Sequence, residues 1–212
     1  RQIELLKGDA STPQQGIAAV DQLVSRDKAE VFIGTYISAV SNAASDAALR
    51  NQKIYWDTNA LAVDLTERKL PNFIRSGPYS GNFASVSVRL VLESIAPALK
   101  KAPKDLTVWI EHEESISGKS IGDAQRKLLE AAGVKVLGQG AHSTRATDLS
   151  DTVLRARKAK PDVWMQMGYV PDTNLVLKTA RGGYDGRGVF VLASSSEAVQ
   201  LLERLAPDPV EL

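Results

Sequence analysis

Glu30-Val31-Phe32-Ile33-Gly34-Thr35-Tyr36-Ile37-Ser38 and, after an alanine-rich stretch, Ile54-Tyr55-Trp56-Asp57-Thr58-Asn59 decide how this chain folds. Each segment opens with a short apolar run suited to a buried strand and stops abruptly in glycine or in polar, turn-forming residues. One helix-length segment lies between them. Strand, helix, strand is the unit of a parallel sheet, and open α/β sheets bind ligands at the carboxyl ends of their strands. The stretch from Glu30 to Ala62 therefore reads as a ligand-binding rim.

The same alternation continues in both directions. Ile3 to Leu6 reads as a short first strand. Thr12 stands three residues before Gln15, with Pro13 between them, which is the capping-box signature of a helix from Pro13 to about Ser25 carrying Ile17, Val20 and Val24 on one face. A second helix runs from about Ser41 to Arg50, and its alanines let it lie close to a sheet. Phe73-Ile74-Arg75 gives a third short strand, and Ser76-Gly77-Pro78-Tyr79-Ser80-Gly81 is a dense turn signal ahead of a helix through Val86, Leu90 and Leu92.

A second series then starts. Thr107 to Ile110 is a strand, Glu111 to Ser117 a polar loop, and Ala124, Leu128 and Ala131 belong to a helix that ends toward Gly133. Val134 to Val136 is the next strand, Asp148 to Lys158 a helix, Val163 to Met167 a strand, Asn174 to Arg181 a helix and Val189 to Leu192 a last strand. The expected fold class is α/β, with two doubly wound parallel-sheet lobes. Residues 1–80 would form the first lobe, 81–104 a crossing segment and helix, 105–196 the second lobe, and 197–212 a C-terminal segment without assignment.

Composition narrows the function. The 212 residues include 26 Lys and Arg against 25 Asp and Glu, a formal charge of +1, with neither sign gathered into a block, so no nucleic-acid partner is expected. Cysteine is absent, which removes disulfides and thiolate metal sites. The two histidines, His112 and His142, lie in different contexts, so no metal site is expected either. No apolar run reaches the roughly 20 residues that span a bilayer, and Arg1-Gln2-Ile3-Glu4 does not resemble a signal peptide.

Several residues can carry chemistry. Ser38 opens the alanine-rich helix and admits two readings, a helix cap or a hydroxyl beside unpaired backbone donors that receives an anion. Tyr36 and Asn42 flank it with a ring and an amide, which suits a small organic ligand. Asp57, Thr58 and Asn59 end a strand, either as ordinary turn residues or as the seat of a ligand's polar end. Glu111, His112, Glu113 and Glu114 gather carboxylates and an imidazole, but adjacent charges usually project into water, so a solvated loop is expected rather than acid-base machinery. Gly168-Tyr169 ends a strand with a ring and a hydroxyl. Trp56, Trp109 and Trp164 read as packing residues. Arg181-Gly182-Gly183-Tyr184-Asp185-Gly186 follows a helix, the reverse of a dinucleotide fingerprint, and reads as a helix-stop turn, so no cofactor is expected.

From Ile3 to about Ser196 the chain resembles the type I periplasmic binding proteins, in particular the leucine-isoleucine-valine-binding group of substrate-binding components of ABC importers. The resemblance is carried by Gly8 to Pro13, Ile33-Gly34 with Ser38, Trp56-Asp57-Thr58-Asn59-Ala60 with Leu65-Thr66, Phe73 to Ser76, and Met167-Gly168-Tyr169. It implies a non-catalytic, periplasmic or otherwise extracytoplasmic protein that closes two lobes on a small ligand and hands it to a membrane ABC permease. A ligand sensor of the same fold is the alternative.

Ser38 matches the position whose hydroxyl and neighbouring amides hold a ligand carboxylate, Asn59 and Leu61 match second-loop contacts, and Ser117 and Tyr169 match ligand-facing positions of the other lobe. Leu61 stands where a hydroxyl often meets an amino acid's ammonium, and Ser194 to Ser196 stand where an acid often pairs with it. An unpaired buried ammonium is costly, so these departures imply a carboxylated or otherwise polar organic ligand, in one version aromatic, ahead of a branched-chain amino acid. The family's opening strand and its ligand loop are expected to be missing before Arg1, and Glu197 to Leu212 do not resemble its usual return to the first lobe. The first lobe is thus expected to be incomplete, with sheet edges that a homo-oligomer would cover.

Overall fold

A computed structural model describes residues 3–146, 149–168, 175–178 and 189–192. The chain divides into two compact units, one of Arg1–Ser143 with Thr147–Met167 and the other of Thr144–Ala146 with Gly168–Leu212.

The first unit holds two parallel three-stranded sheets. Helix α1 (Pro13–Asp27) starts on the expected capping box, with the Thr12 hydroxyl accepting from the Gln15 amide and the Gln15 side chain accepting from the Thr12 amide. Strand β1 (Val31–Ile33), helix α2 (Ser38–Arg50), strand β2 (Ile54–Asp57), the short helix α3 (Asp64–Glu67) and strand β3 (Phe73–Arg75) follow. The sheet order is β1-β2-β3, with Phe32 beside Tyr55 and Tyr55 beside Phe73. Those three rings meet Val20, Ala44, Ala47 and Ala48 of the two long helices, and the small alanines allow the close approach that the sequence implied.

The opposite face of this sheet differs from expectation. Val31, Ile33, Ile54, Trp56 and Ile74 all point there and are 42–65% exposed, so β1 is buried only at Phe32. Parallel strands are normally covered on both faces, but among the described residues a helix layer covers one. Ile3 to Leu6 is not a strand: among the described residues it has no ladder partner, and Ile3 and Leu5 are exposed beside an apolar groove of about 360 Å³ along β1. Without a paired neighbour, a four-residue apolar run has no register to hold it extended.

Helix α4 (Ser80–Leu90) continues through one wide turn, Val91–Ile95, into the short α5 (Ala96–Ala98). Pro97 accounts for the widening, since it has no N–H to return to the carbonyl four residues back. Strand β4 (Thr107–Glu113), helix α6 (Ile116–Ala131), strand β5 (Lys135–His142), helix α7 (Ser150–Ala159) and strand β6 (Val163–Met167) complete the unit in sheet order β5-β4-β6. Val88, Val91, Leu106, Val108, Ile110, Leu129, Val163 and Met165 form its core. On α6 the large apolar residues that face inward are Ile121 and Leu129, while Leu128 faces outward.

In the second unit, strand β7 (Leu175–Lys178) pairs antiparallel with strand β8 (Val189–Leu192). The expected helix over Asn174 to Arg181 is therefore a strand at its centre. A short apolar run such as Leu175-Val176-Leu177 fits either periodicity, and pairing decides. The glycine-rich stretch Arg181 to Gly186 lies outside the described residues.

Leu129 is fully buried in the second core. Leu129→Ala is expected to lower the unfolding free energy by about 2–5 kcal/mol, read as a lower urea midpoint with an unchanged denaturant slope.

Candidate functional site

The carboxyl ends of β1, β2 and β3 carry the rim, and its centre is the loop from Asp57 to Val63. Ala60 and Ala62 in that loop are fully buried, so its peptide groups need protein partners. The partners come from five different elements. The Ala60 amide donates to Asp57 Oδ1 at 3.0 Å. The Leu61 and Ala62 amides both donate to Ser38 Oγ, at 3.0 and 3.1 Å. The Ala62 carbonyl accepts from the Arg75 guanidinium at 2.7 Å, and the Leu61 carbonyl from the Ser80 amide at 2.8 Å. The Val63 amide donates to Ser120 Oγ at 3.1 Å. Gly77 permits the last strand to approach, since a Cβ there would sit 2.1 Å from the Thr58 carbonyl oxygen.

This geometry corrects the cap reading of Ser38. Helix α2 begins at Ser38 itself, its cap position is Ile37, and no side chain caps it. The Ser38 hydroxyl instead turns to a loop 23 residues away. Asp57 is equally committed: it is fully buried, its second oxygen accepts a short hydrogen bond from Ser41, and Arg75 faces it across the β2–β3 register. Burial pushes the Asp57 carboxyl above its ordinary range, outweighing the bonds from Ser41 and Ala60 and the nearby Arg75 charge. Of the other predicted first-sheet residues, Tyr36 and Asn59 are exposed and Leu61 is half-buried.

The second sheet overturns the solvated-loop expectation for Glu111 to Ser117. Strand β4 runs on to Glu113, and Glu111, His112 and Glu113 are buried, with only Glu114 exposed among the four. The Glu113 carboxyl accepts from Ser115 Oγ at 2.7 Å, the Gly118 amide at 2.7 Å and Ser117 Oγ at 3.2 Å. It thereby supplies acceptors to the unpaired donors at the start of α6, where the helix dipole favours negative charge. Ser117 is buried within that network. His112 Nδ1 donates to the Glu113 carbonyl at 2.7 Å, and the Gln139 amide, itself donating to Asp123, lies 3.2 Å from His112 Nε2. Glu111 accepts from the Trp109 ring N–H at 3.2 Å, with His142 Nδ1 3.4 Å and Arg155 3.7 Å away.

Glycines make room for these side chains. A Cβ at Gly118 would meet the Glu113 carbonyl at 2.3 Å, one at Gly122 the His112 ring at 2.7 Å, and one at Gly140 the Glu111 carboxyl at 2.2 Å. Tyr169 and Ser194 lie outside the described residues. The structure thus separates the predicted residues into reachable ones, Tyr36, Asn59 and Leu61, and buried ones that hold the rim or the α6 turn, Ser38, Asp57 and Ser117. Sequence reading missed Ser41, Arg75, Ser80 and Ser120. Ser38, Ser41 and Ser45 recur at helical spacing on one buried face of an alanine-rich helix, a signal that was there to be used.

Parallel sheets with a polar rim at their carboxyl ends, repeated once along the chain, define the type I periplasmic binding fold. A family model described as periplasmic binding protein matches residues 1–211, and the chain belongs to that family. The Leu/Ile/Val-binding protein homolog 7 of Brucella suis biovar 1 is 32% identical over 183 residues, covering 86% of this chain and 46% of that protein. The Leu/Ile/Val-binding protein homolog 8 of Brucella abortus is 32% identical over 204 residues, covering 93% and 51%. The chain therefore spans about half the length of these relatives.

Among solved structures, the branched-chain amino acid transporter substrate-binding protein LivJ of Streptococcus pneumoniae, in complex with isoleucine, aligns with a TM-score of 0.69 at 18% identity, covering 86% of this chain and 49% of that one. An ABC transporter solute-binding protein of R. palustris, in complex with 4-hydroxybenzoate, aligns with a TM-score of 0.62 at 20% identity, covering 74% and 40%.

Two outcomes test the rim. Ser38→Ala would strand two backbone amides and is expected to cost about 2 kcal/mol or more in chemical denaturation, since each unpaired buried donor costs about 1–3 kcal/mol. The raised Asp57 value means the folded chain binds that proton more tightly than the unfolded one. Stability from this group therefore falls as pH rises from the unfolded value of about 3.9 through the raised folded value, above which the cost of the buried charge is complete. Asp57→Asn keeps an oxygen for the Ala60 amide and cannot titrate. Urea denaturation from pH 4 to 7 is expected to show the stability difference moving steadily in favour of the variant, whereas a flat difference would refute the shift.

Proposed function

We propose that this chain is the ligand-binding part of an extracytoplasmic solute-binding protein that captures a small carboxylated organic molecule between two α/β lobes and presents it to a membrane ABC permease. The observation that carries the proposal is the immobilised rim: its backbone is pinned from five surrounding elements while Asn59 and Leu61 remain accessible at the carboxyl edge of the sheet. A pre-organised rim spends little ordering free energy when a ligand arrives. Family membership supports the same reading, as do the substrate-binding relatives.

Ser38 shapes the rim: it is buried, and its two lone pairs receive the Leu61 and Ala62 amides. The carboxylate reading comes from the sequence resemblance, in which Ser38 and its neighbouring amides match the carboxylate position. Leu61 adds no acceptor, and the exposed Tyr36 ring suits an aromatic body. An aromatic acid of the kind bound by the R. palustris neighbour is thus placed ahead of a branched-chain amino acid of the kind bound by the LivJ neighbour. Tyr169 and Ser194 belong to the proposed contact set from the sequence resemblance, and no catalytic role is assigned to any residue.

Native mass spectrometry of the purified chain, followed by calorimetric titration with 4-hydroxybenzoate, benzoate, leucine, isoleucine and valine, tests the reading. Saturable 1:1 binding of an aromatic acid, weakened at least tenfold by Ser38→Ala, is expected. Binding of the branched-chain amino acids alone would reverse the ligand order, and binding of none of the five would leave the carboxylate assignment without support.

A further inference from the structure

One anchor of the rim comes from the helix that also carries the second sheet's candidate residue. The Val63 amide donates to Ser120 Oγ at 3.1 Å, Ser120 Oγ lies 2.7 Å from Ser80 Oγ, and the Ser80 amide donates to the Leu61 carbonyl at 2.8 Å. These contacts close a ring through the rim, the start of α4 and the second turn of α6. Ser80 and Ser120 are both buried, so little water competes for the bonds. Beside the ring, Ile116 packs on the buried cluster Ala60, Ala62 and Leu65. A crevice of about 300 Å³ opens beside the ring, lined by Val63, Asp64, Tyr79, Lys119 and Asp123 together with Ser80 and Ser120. Ser117 sits on α6 one turn before Ser120.

We infer that Ser120 is a positioning residue. Its hydroxyl locks the first sheet's rim to the second sheet's helix α6 and so sets the spacing between Asn59, Leu61 and Ser117 before any ligand is present. The functional meaning of that spacing rests on the ligand-binding reading; the lock itself does not. The hydroxyl is the operative group, because an alanine of nearly the same size would leave the Val63 amide unpaired and free the rim from α6.

The absence of cysteine makes the lock directly measurable. Arg50→Cys on α2 and Lys158→Cys on α7, both exposed positions, accept a pair of spin labels whose separation is read by double electron-electron resonance without ligand. One narrow distance distribution is expected for the otherwise unchanged chain and for Ser120→Thr, which keeps a hydroxyl. Ser120→Ala is expected to add a second, displaced population, raising the ratio of unlocked to locked molecules about tenfold, the scale of one buried hydrogen bond.

An unchanged distribution in Ser120→Ala would overturn the inference, including the case in which the variant merely melts at lower temperature. Should Ser120→Ala not fold, amide exchange in the unmodified chain decides. Val63 is expected to be protected like the core strands, and exchange at the rate of an exposed amide would overturn the lock. Because none of these readouts uses a ligand, failure of the lock is distinguishable from failure of the binding proposal.

Discussion

The need to satisfy buried peptide groups between Ala60 and Val63 organises much of this structure. Buried peptide groups must find protein partners, and those of the rim find them in Ser38, Asp57, Arg75, Ser80 and Ser120. Those residues come from α2, β2, β3, α4 and α6. Each of these elements is therefore held against the same short segment, and displacing any of them leaves a polar group unpaired. Small side chains make this possible, because Ala60 and Ala62 let the surrounding donors and acceptors reach the backbone.

What was legible in the chain was whatever local rules determine. The Thr12–Gln15 box, the strands at Val31 to Ile33 and Phe73 to Arg75, and the arrival of polar residues at strand ends all follow from neighbours a few positions away. The role of Ser38 was not legible as a loop anchor, because its partners are 23 and 24 residues distant and are backbone atoms, which carry no side-chain signature. The length of β4 was hidden for a related reason. Three adjacent ionisable residues normally mark a solvated turn, and only their burial between β5, β6 and α6 turns Glu111-His112-Glu113 into strand. Leu175 to Lys178 misled because a run of that length has no decisive period.

Charge is used in this unit for placement more than for attraction. Asp57, although opposite Arg75, is held mainly by a serine hydroxyl and a backbone amide, and its desolvation outweighs all three. Glu113 similarly serves the first turn of α6. Both carboxyls stand at the end of a strand and act on the loop or helix that follows. The rim of each sheet is thus shaped by an acid that a ligand need never touch.

The glycines opposite the end of β4 limit the order in which this region can change. Gly140 accommodates Glu111, Gly122 accommodates His112, and Gly118 accommodates Glu113, each at a separation that a single added carbon would close. A larger residue at Gly122 or Gly140 is tolerable only after the facing side chain has shrunk, because the reverse order passes through an overpacked intermediate. At Gly118 the obstacle is the Glu113 backbone itself, and no exchange of side chains relieves it. Divergence in this region is therefore directional: two of the three positions open by stepwise paired exchange, and the third stays closed unless the backbone moves.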